Sequence, residues 1–250
     1  MRSLPWLLVF CLCSAAVRAQ DLAGTCRASS SYDLTVQRDR LVFDRAAPAP
    51  RRIELRNGRV DVDGASLRAN AEQIDRLALF EHDLRALVPK AKAVARDGVD
   101  LAVQALRAEA AGLHLGADTR QRLDAVLAAR AAELRQRIDA SDSTRDWQGE
   151  AFERWSENVA AELVPLVAAD LGTQALSAAA AGDLDAAAAL RDRAAGVAGD
   201  LRPRLERRMQ ALRPRIQALC PSVRHLYELQ RGVRGANGRP LDLIEIEAAR

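Results

Sequence analysis

Six carboxylates between Asp139 and Glu157 are the first residues whose spacing suggests chemistry. Asp139, Asp142 and Asp146 recur at steps of three and four, and Glu150, Glu153 and Glu157 continue the rhythm. On a helix that spacing stacks them on one face, where paired carboxylates can hold a divalent ion or divide acid and base roles. Di-iron helix sites built this way add a Glu-x-x-His, and none is present here. A carboxylate run with Arg154 inside it reads more simply as a solvated face. The histidines, His82, His114 and His225, fall outside His-Glu-x-x-His and away from any cysteine pair, so zinc spacing is missing too. No Gly-x-Ser-x-Gly elbow, Walker loop or dinucleotide fingerprint occurs after residue 19. These absences favour binding over catalysis, leave a carboxylate-dependent hydrolase as the enzymatic alternative, and imply no cofactor.

Cationic chemistry concentrates later in the chain. Arg202, Arg204, Arg207, Arg208, Arg213 and Arg215 accompany an apolar stripe of Leu201, Leu205, Met209, Leu212, Ile216 and Leu219. A basic amphipathic helix of this kind can touch anionic lipid headgroups or lipopolysaccharide. The plainer reading is a solvated face, because Lys90 and Lys92 are the only lysines and arginine dominates the whole chain. Leu-Arg-Pro-Arg occurs at 201–204 and again at 212–215, eleven residues on. Eleven residues make three helical turns, so the repeat predicts two copies pointing one way along a long, kinked helix.

Thiol chemistry depends on where the chain goes. Residues 1–19 open with Arg2, run through a short apolar core and end in Val17-Arg18-Ala19. Those are the parts of a cleaved secretory signal, and the run is too short to span a bilayer. Phe10 and Leu12, large residues ahead of Cys11 and Cys13, argue against a lipidated cysteine. Both charges in the leader are arginines, so its removal brings the formal balance of +3 closer to neutral. Cleavage leaves no transmembrane segment by this reading, and export makes nucleic acid an unsuitable partner. It also leaves two thiols, Cys26 and Cys220. In an oxidising compartment the expectation is one bond between them; free thiols or an intermolecular bridge are the alternatives.

The elements that must position these groups change character near residue 70. Tyr32, Leu34 and Val36 alternate with polar residues, Leu41-Val42-Phe43 comes next, and Ile53, Leu55, Val60 and Val62 alternate across Asn57-Gly58. Asn-Gly between alternating runs is a hairpin signal, so residues 20–69 read as a small antiparallel meander needing cover from elsewhere. From Asn70, a good cap, apolar residues recur at helical spacing: Leu77, Phe80, Leu84 and Leu87, with Pro89 ending that helix or starting the next. Further helical stripes begin at Val99 and after Asp118, and another runs through Phe152, Trp155, Val159, Leu163 and Leu166. The polar stretch from Ser141 to Arg145 reads as a loop. Trp147, Phe152 and Trp155 read as core, or alternatively as a ligand pocket. Residues 175–198 are alanine-rich and bury little area, so packing there should be close and weakly driven. Residues 70–234 form the helical body, and 235–250 a tail whose Leu241–Glu247 alternation suits a strand at the open edge of the meander. The fold class expected is α+β, mostly α, with the meander packed against a bundle of long helices.

The order of short features also resembles a known family. Cys26 precedes Tyr32-Asp33-Leu34-Thr35-Val36; Ile53-Glu54-Leu55, Asn57-Gly58 and Val62-Asp63-Gly64 come after it. Asn70-Ala71-Glu72-Gln73 then leads into Phe80-Glu81 and Leu84-Arg85, and Cys220 comes late. This order resembles the YggN-like periplasmic proteins of gammaproteobacteria, which lack an assigned function. The resemblance implies a periplasmic location, a small β start and a long helical body, and it carries no catalytic residues. Together the readings expect a soluble periplasmic protein that binds another envelope protein in a chaperone-like role. An anionic lipid surface is the alternative partner.

Overall fold

The computed structural model describes residues 24–147, 150–235 and 238–247. The expected leader, residues 1–19, lies outside them, as do the side chains of Glu150, Phe152, Glu153, Trp155, Arg202 and Arg204. The fold is α+β and mostly helical, and it divides into two compact units.

One unit comprises the described parts of Arg18–Ala95, Asp139–Gly149 and Leu212–Arg250. Its centre is a five-stranded antiparallel meander: β2 (Asp33–Val36), β3 (Leu41–Asp44), β4 (Arg52–Arg56), β5 (Arg59–Val62) and β6 (Ala65–Ser66). Phe43 lies opposite Ile53 and Leu41 opposite Leu55, which in turn faces Val60, so register and pleat put these side chains on one face. That face is covered by Leu77, Phe80 and Leu84 from the start of helix α1 (Ala71–Gly112). Leu226 and Leu229 from the late helix Cys220–Gln230, with Val233, Leu241 and Leu243 beyond it, complete the core. Leu41, Ile53, Leu55, Leu77, Phe80 and Leu243 are fully buried, and each contributes about 1.5–3 kcal/mol of burial.

The boundaries are set by local chemistry. Asn57 and Gly58 both adopt positive φ, as a two-residue hairpin turn requires. Asn70 caps α1: its Oδ1 accepts the Gln73 N–H at 2.8 Å, while the Gln73 side chain accepts the Asn70 N–H at 3.1 Å. Pro89 neither ends α1 nor starts another helix; the 42-residue helix runs through it. One lost donor and a crowded carbonyl cost about 3 kcal/mol, and Leu84 and Val99, both buried, anchor the helix on either side.

Both ends of the sheet unit are tied down. β1 (Ala28–Ser29) pairs antiparallel with β7 (Glu245–Ile246) in a separate two-stranded ladder. The C-terminal segment therefore returns to the N-terminal region and pairs just ahead of the meander, not with the meander itself. The outer edge of β2 is already occupied by the connector after residue 140. Val36 N–H donates to the Asp142 carbonyl at 2.8 Å, and Leu34 N–H to Thr144 Oγ1 at 3.0 Å. Thr35 bridges to Ser143, and Arg145 pairs with Asp33 at 2.9 Å. The polar segment expected as a plain loop thus protects a sheet edge.

The other unit takes in Arg96–Ile138 and Glu150–Ala211. Its elements are the second half of α1, α2 (Ala117–Ala140), α3 (Glu150–Ala180) and α4 (Leu184–Met209). Leu115, Leu123, Leu127, Val167 and Leu171 form its core, with Leu106, Leu163, Leu190 and Ala194 packed around them. Gly116 occupies the N-cap of α2, since its carbonyl accepts the Arg120 N–H, and Asp118 lies in the first turn. The long, kinked helix expected along the Leu201–Leu219 stripe is interrupted: α4 ends at Met209, a 3-10 turn covers Gln210–Leu212, and α5 (Arg213–Gln217) begins afresh. Pro214 lies in the first turn of α5, where a missing N–H costs nothing. The second proline of the repeat is a start signal, whereas Pro203 lies inside α4.

Candidate interaction surface

The structure disperses the chemistry expected from the sequence. Cys26 and Cys220 are both buried and form a disulfide with an S–S distance of 2.02 Å. Cys220 opens helix α6 (Cys220–Gln230), so the bond ties the chain ahead of β1 to that helix. Asp146 accepts the Ser143 N–H at 3.2 Å, which commits it to shaping the connector. Trp147 donates its indole N–H to Ser141 at 2.8 Å in the same connector. Among the described residues no group of three or more His, Cys, Asp or Glu side chains is placed to hold a metal ion. His225 sits 3.3 Å from Asp83 on an open helix face, and the His114 carbonyl accepts the Gln174 amide after α1. The arginines divide between two helices: Arg202, Arg204, Arg207 and Arg208 on α4, Arg213 and Arg215 on α5. Arg208 lies 3.7 Å from Glu109, and the side chains of Arg207, Arg213 and Arg215 are exposed.

The helical unit presents a different feature, one that sequence periodicity did not single out. Helices α3 and α4 form an antiparallel hairpin closed at Gly182, which takes positive φ, and Asp183 caps the second helix through the Ala186 N–H at 2.9 Å. Each helix has two apolar stripes. Val167 and Leu171 on α3, with Leu190 and Ala194 on α4, face the unit's core. A second stripe on α3 runs Ala169, Gly172, Thr173 and Leu176, and its counterpart on α4 runs Leu184, Ala187, Ala188 and Arg191. Both step by three, four and seven residues, the spacing of one helical face.

Between these second stripes lies an open groove of about 630 Å³. Its floor is alanine and glycine, and a methyl group added at Gly172 would meet nothing within 4 Å. Leu176 and Leu184 stand on its rim with 74% and 71% of their surface exposed. Among the lining residues Arg191 carries the charge. Glu157–Ala180 is long and apolar enough, by length and composition alone, to cross a membrane, and only 6% of its most apolar window is buried. Two large aliphatic side chains left in water at the mouth of one groove make it the candidate interaction surface of the helical unit. The signal legible in the sequence is the absence of charge from Leu171 to Gly182, a dozen residues whose alanine content overlaps the stretch expected to pack closely.

Asp170 shows why this hairpin keeps its shape. Its carboxylate accepts the Gly116 N–H at 3.0 Å and the Thr119 hydroxyl at 2.8 Å, capping α2 from a neighbouring helix, and Gln174 donates at 2.6 Å. Partial burial pushes its pKa up, but the three hydrogen bonds outweigh that and hold it below the usual carboxylate value. Asp170, the one charged residue between Leu163 and Gly182, is thus turned toward α2, and the lining residues that α3 gives to the groove are uncharged.

A family described as protein of unknown function (DUF2884) matches residues 26–238, so the chain belongs to that family. No curated protein and no solved structure matches it.

Proposed function

We propose that this member of a family without an assigned activity is a non-enzymatic binding module that holds an apolar segment of another polypeptide between α3 and α4. The observation that carries the reading is the exposure of Leu176 and Leu184 at the mouth of an open groove. The disulfide and the YggN-like order of motifs support an exported, periplasmic setting, where unfolded chains and partner helices meet oxidised proteins. A chaperone-like role in envelope maintenance fits that setting. The test is suppression of light scattering by an aggregating, chemically unfolded model protein. The wild-type chain is expected to suppress it, and a Leu176→Asp/Leu184→Asp variant of unchanged circular dichroism is expected not to. Equal suppression by both, or none by either, would sink the reading.

The exposed arginines near the end of α4 and on α5 support a second reading, contact with an anionic lipid surface. Co-sedimentation with anionic vesicles checks it. Binding should fall when Arg204, Arg207 and Arg208 on α4, or separately Arg215 on α5, become glutamine, and binding unchanged by either substitution removes this reading from consideration.

A further inference from the structure

We infer that the occupant of the α3–α4 groove is a single amphipathic helix bearing an acidic side chain in register with Arg191; this rests on the groove being the binding surface. The geometry restricts the occupant's shape. Two antiparallel helices already turn one apolar stripe each into the unit's core, and their second stripes converge on the same groove. Each second stripe repeats at helical spacing over two turns, so the hairpin lacks only a third helix on that side. An extended strand would find no sheet edge along this helical hairpin with which to pair its backbone N–H and C=O groups. A helix satisfies its own backbone and can sink close to that floor, because small residues let helix axes approach. Gly172 leaves open space above the groove floor, and the exposed side chains of Leu176 and Leu184 offer apolar surface to a stripe laid beside it.

Charge sets the register. The groove is uncharged along α3 and acquires a cation at its inner end, at Arg191, two turns from Leu184, whose guanidinium also lies 3.5 Å from Asp192 in an exposed pair that an occupant's carboxylate would compete with. At the tip, Asp183 and Asp185 flank Leu184 and are exposed. An occupant with its N-terminal turn toward this acidic tip and a Glu or Asp near Arg191 would match both ends, and its own helix dipole would have the same polarity. Reversed, it would set like charges against each other.

The probe is a designed, fluorescently labelled helical peptide with leucine and alanine at one i, i+3, i+4, i+7 stripe and one glutamate after that stripe. A second peptide carries lysine at the glutamate position. Binding to the purified full chain is read by fluorescence anisotropy. Wild-type chain should prefer the glutamate peptide, and Arg191→Glu should weaken that peptide about fivefold and restore the lysine peptide. If Leu176→Asp/Leu184→Asp abolishes binding but Arg191→Glu leaves both peptides unchanged, the groove stands and the charge register is wrong. If the glutamate peptide fails to bind, or binds regardless of the leucine substitutions, the helical occupant is rejected. Self-association in sedimentation velocity that Leu184→Asp removes would assign the groove to a second copy instead.

Discussion

Among single residues, the positions that matter most are those whose neighbours arrive from far along the chain. Gly58 adopts positive φ, and a methyl group there would overlap the Ile74 carbonyl oxygen in the backbone of α1. Gly64 also has positive φ but nothing within 4 Å. Gly64→Ala should therefore cost about 1 kcal/mol from backbone strain alone, and Gly58→Ala about 3 kcal/mol or more, read as the difference in urea unfolding midpoints. Glu81, buried, accepts the Asn57 N–H at 2.7 Å and an Arg85 N–H at 3.0 Å, so the helix satisfies the very turn it presses on. Asp170 gives a pH dependence whose sign is fixed. Its folded-state pKa is held below the unfolded value, so the stabilisation is complete above pH ~4 and is lost as pH falls through the folded value. Asp170→Asn should flatten the acid limb of a stability-versus-pH curve, and Asp170→Ala should cost about 1–2 kcal/mol at pH 7. An acid limb identical to wild type in Asp170→Asn would show that the carboxylate is not acting this way.

Among elements, the connector between α2 and α3 and the paired chain ends show how little backbone can finish a sheet. Leu34 donates to a threonine hydroxyl and Val36 to a backbone carbonyl, so side-chain substitution can remove one bond and leave the other. Thr144→Val should raise the hydrogen-exchange rate of the Leu34 amide and leave that of Val36 nearly unchanged. Similar acceleration at both would mean that the connector opens as a unit. The disulfide closes a sequence separation of 194 residues, for which loop-closure entropy predicts about 5 kcal/mol, less any structure kept by the unfolded chain. It also anchors the segment that β7 pairs with, while the Gln230 side chain holds both backbone groups of Ile244. A Cys26→Ser/Cys220→Ser variant is thus expected to lower the unfolding midpoint and to expose residues 241–247 to limited proteolysis. Non-reducing electrophoresis showing a reducible dimer would instead assign the thiols to an intermolecular bond.

For the molecule as a whole, the two units have separate cores, and a core substitution in one reports on that one. Phe80→Ala should cost about 3–5 kcal/mol and accelerate amide exchange through β3, β4 and β5. Protection in α2 should persist in that variant, and its parallel loss would show one cooperative transition. The meander, its Asn57-Gly58 turn, the Asn70 cap and the helical character of the chain beyond residue 70 were all legible in the sequence. Each of these depends on local φ/ψ preference or on a period of two or 3.6 residues. Counting alone singled out Cys26 and Cys220 as the thiols beyond residue 19. Local preference did not dictate that α1 would run through Pro89, that Pro214 would start a helix, or that Asp170 would cap one. At Pro89 a local cost of about 3 kcal/mol is weighed against packing on either side, while Asp170 caps a helix that starts far earlier in the chain. The groove belongs to the same category. Alanine, glycine and leucine at helical spacing describe a buried face and an unfilled one equally well. The placement of the neighbouring helices is what covers Val167 and Leu171 and leaves Leu176 and Leu184 in water.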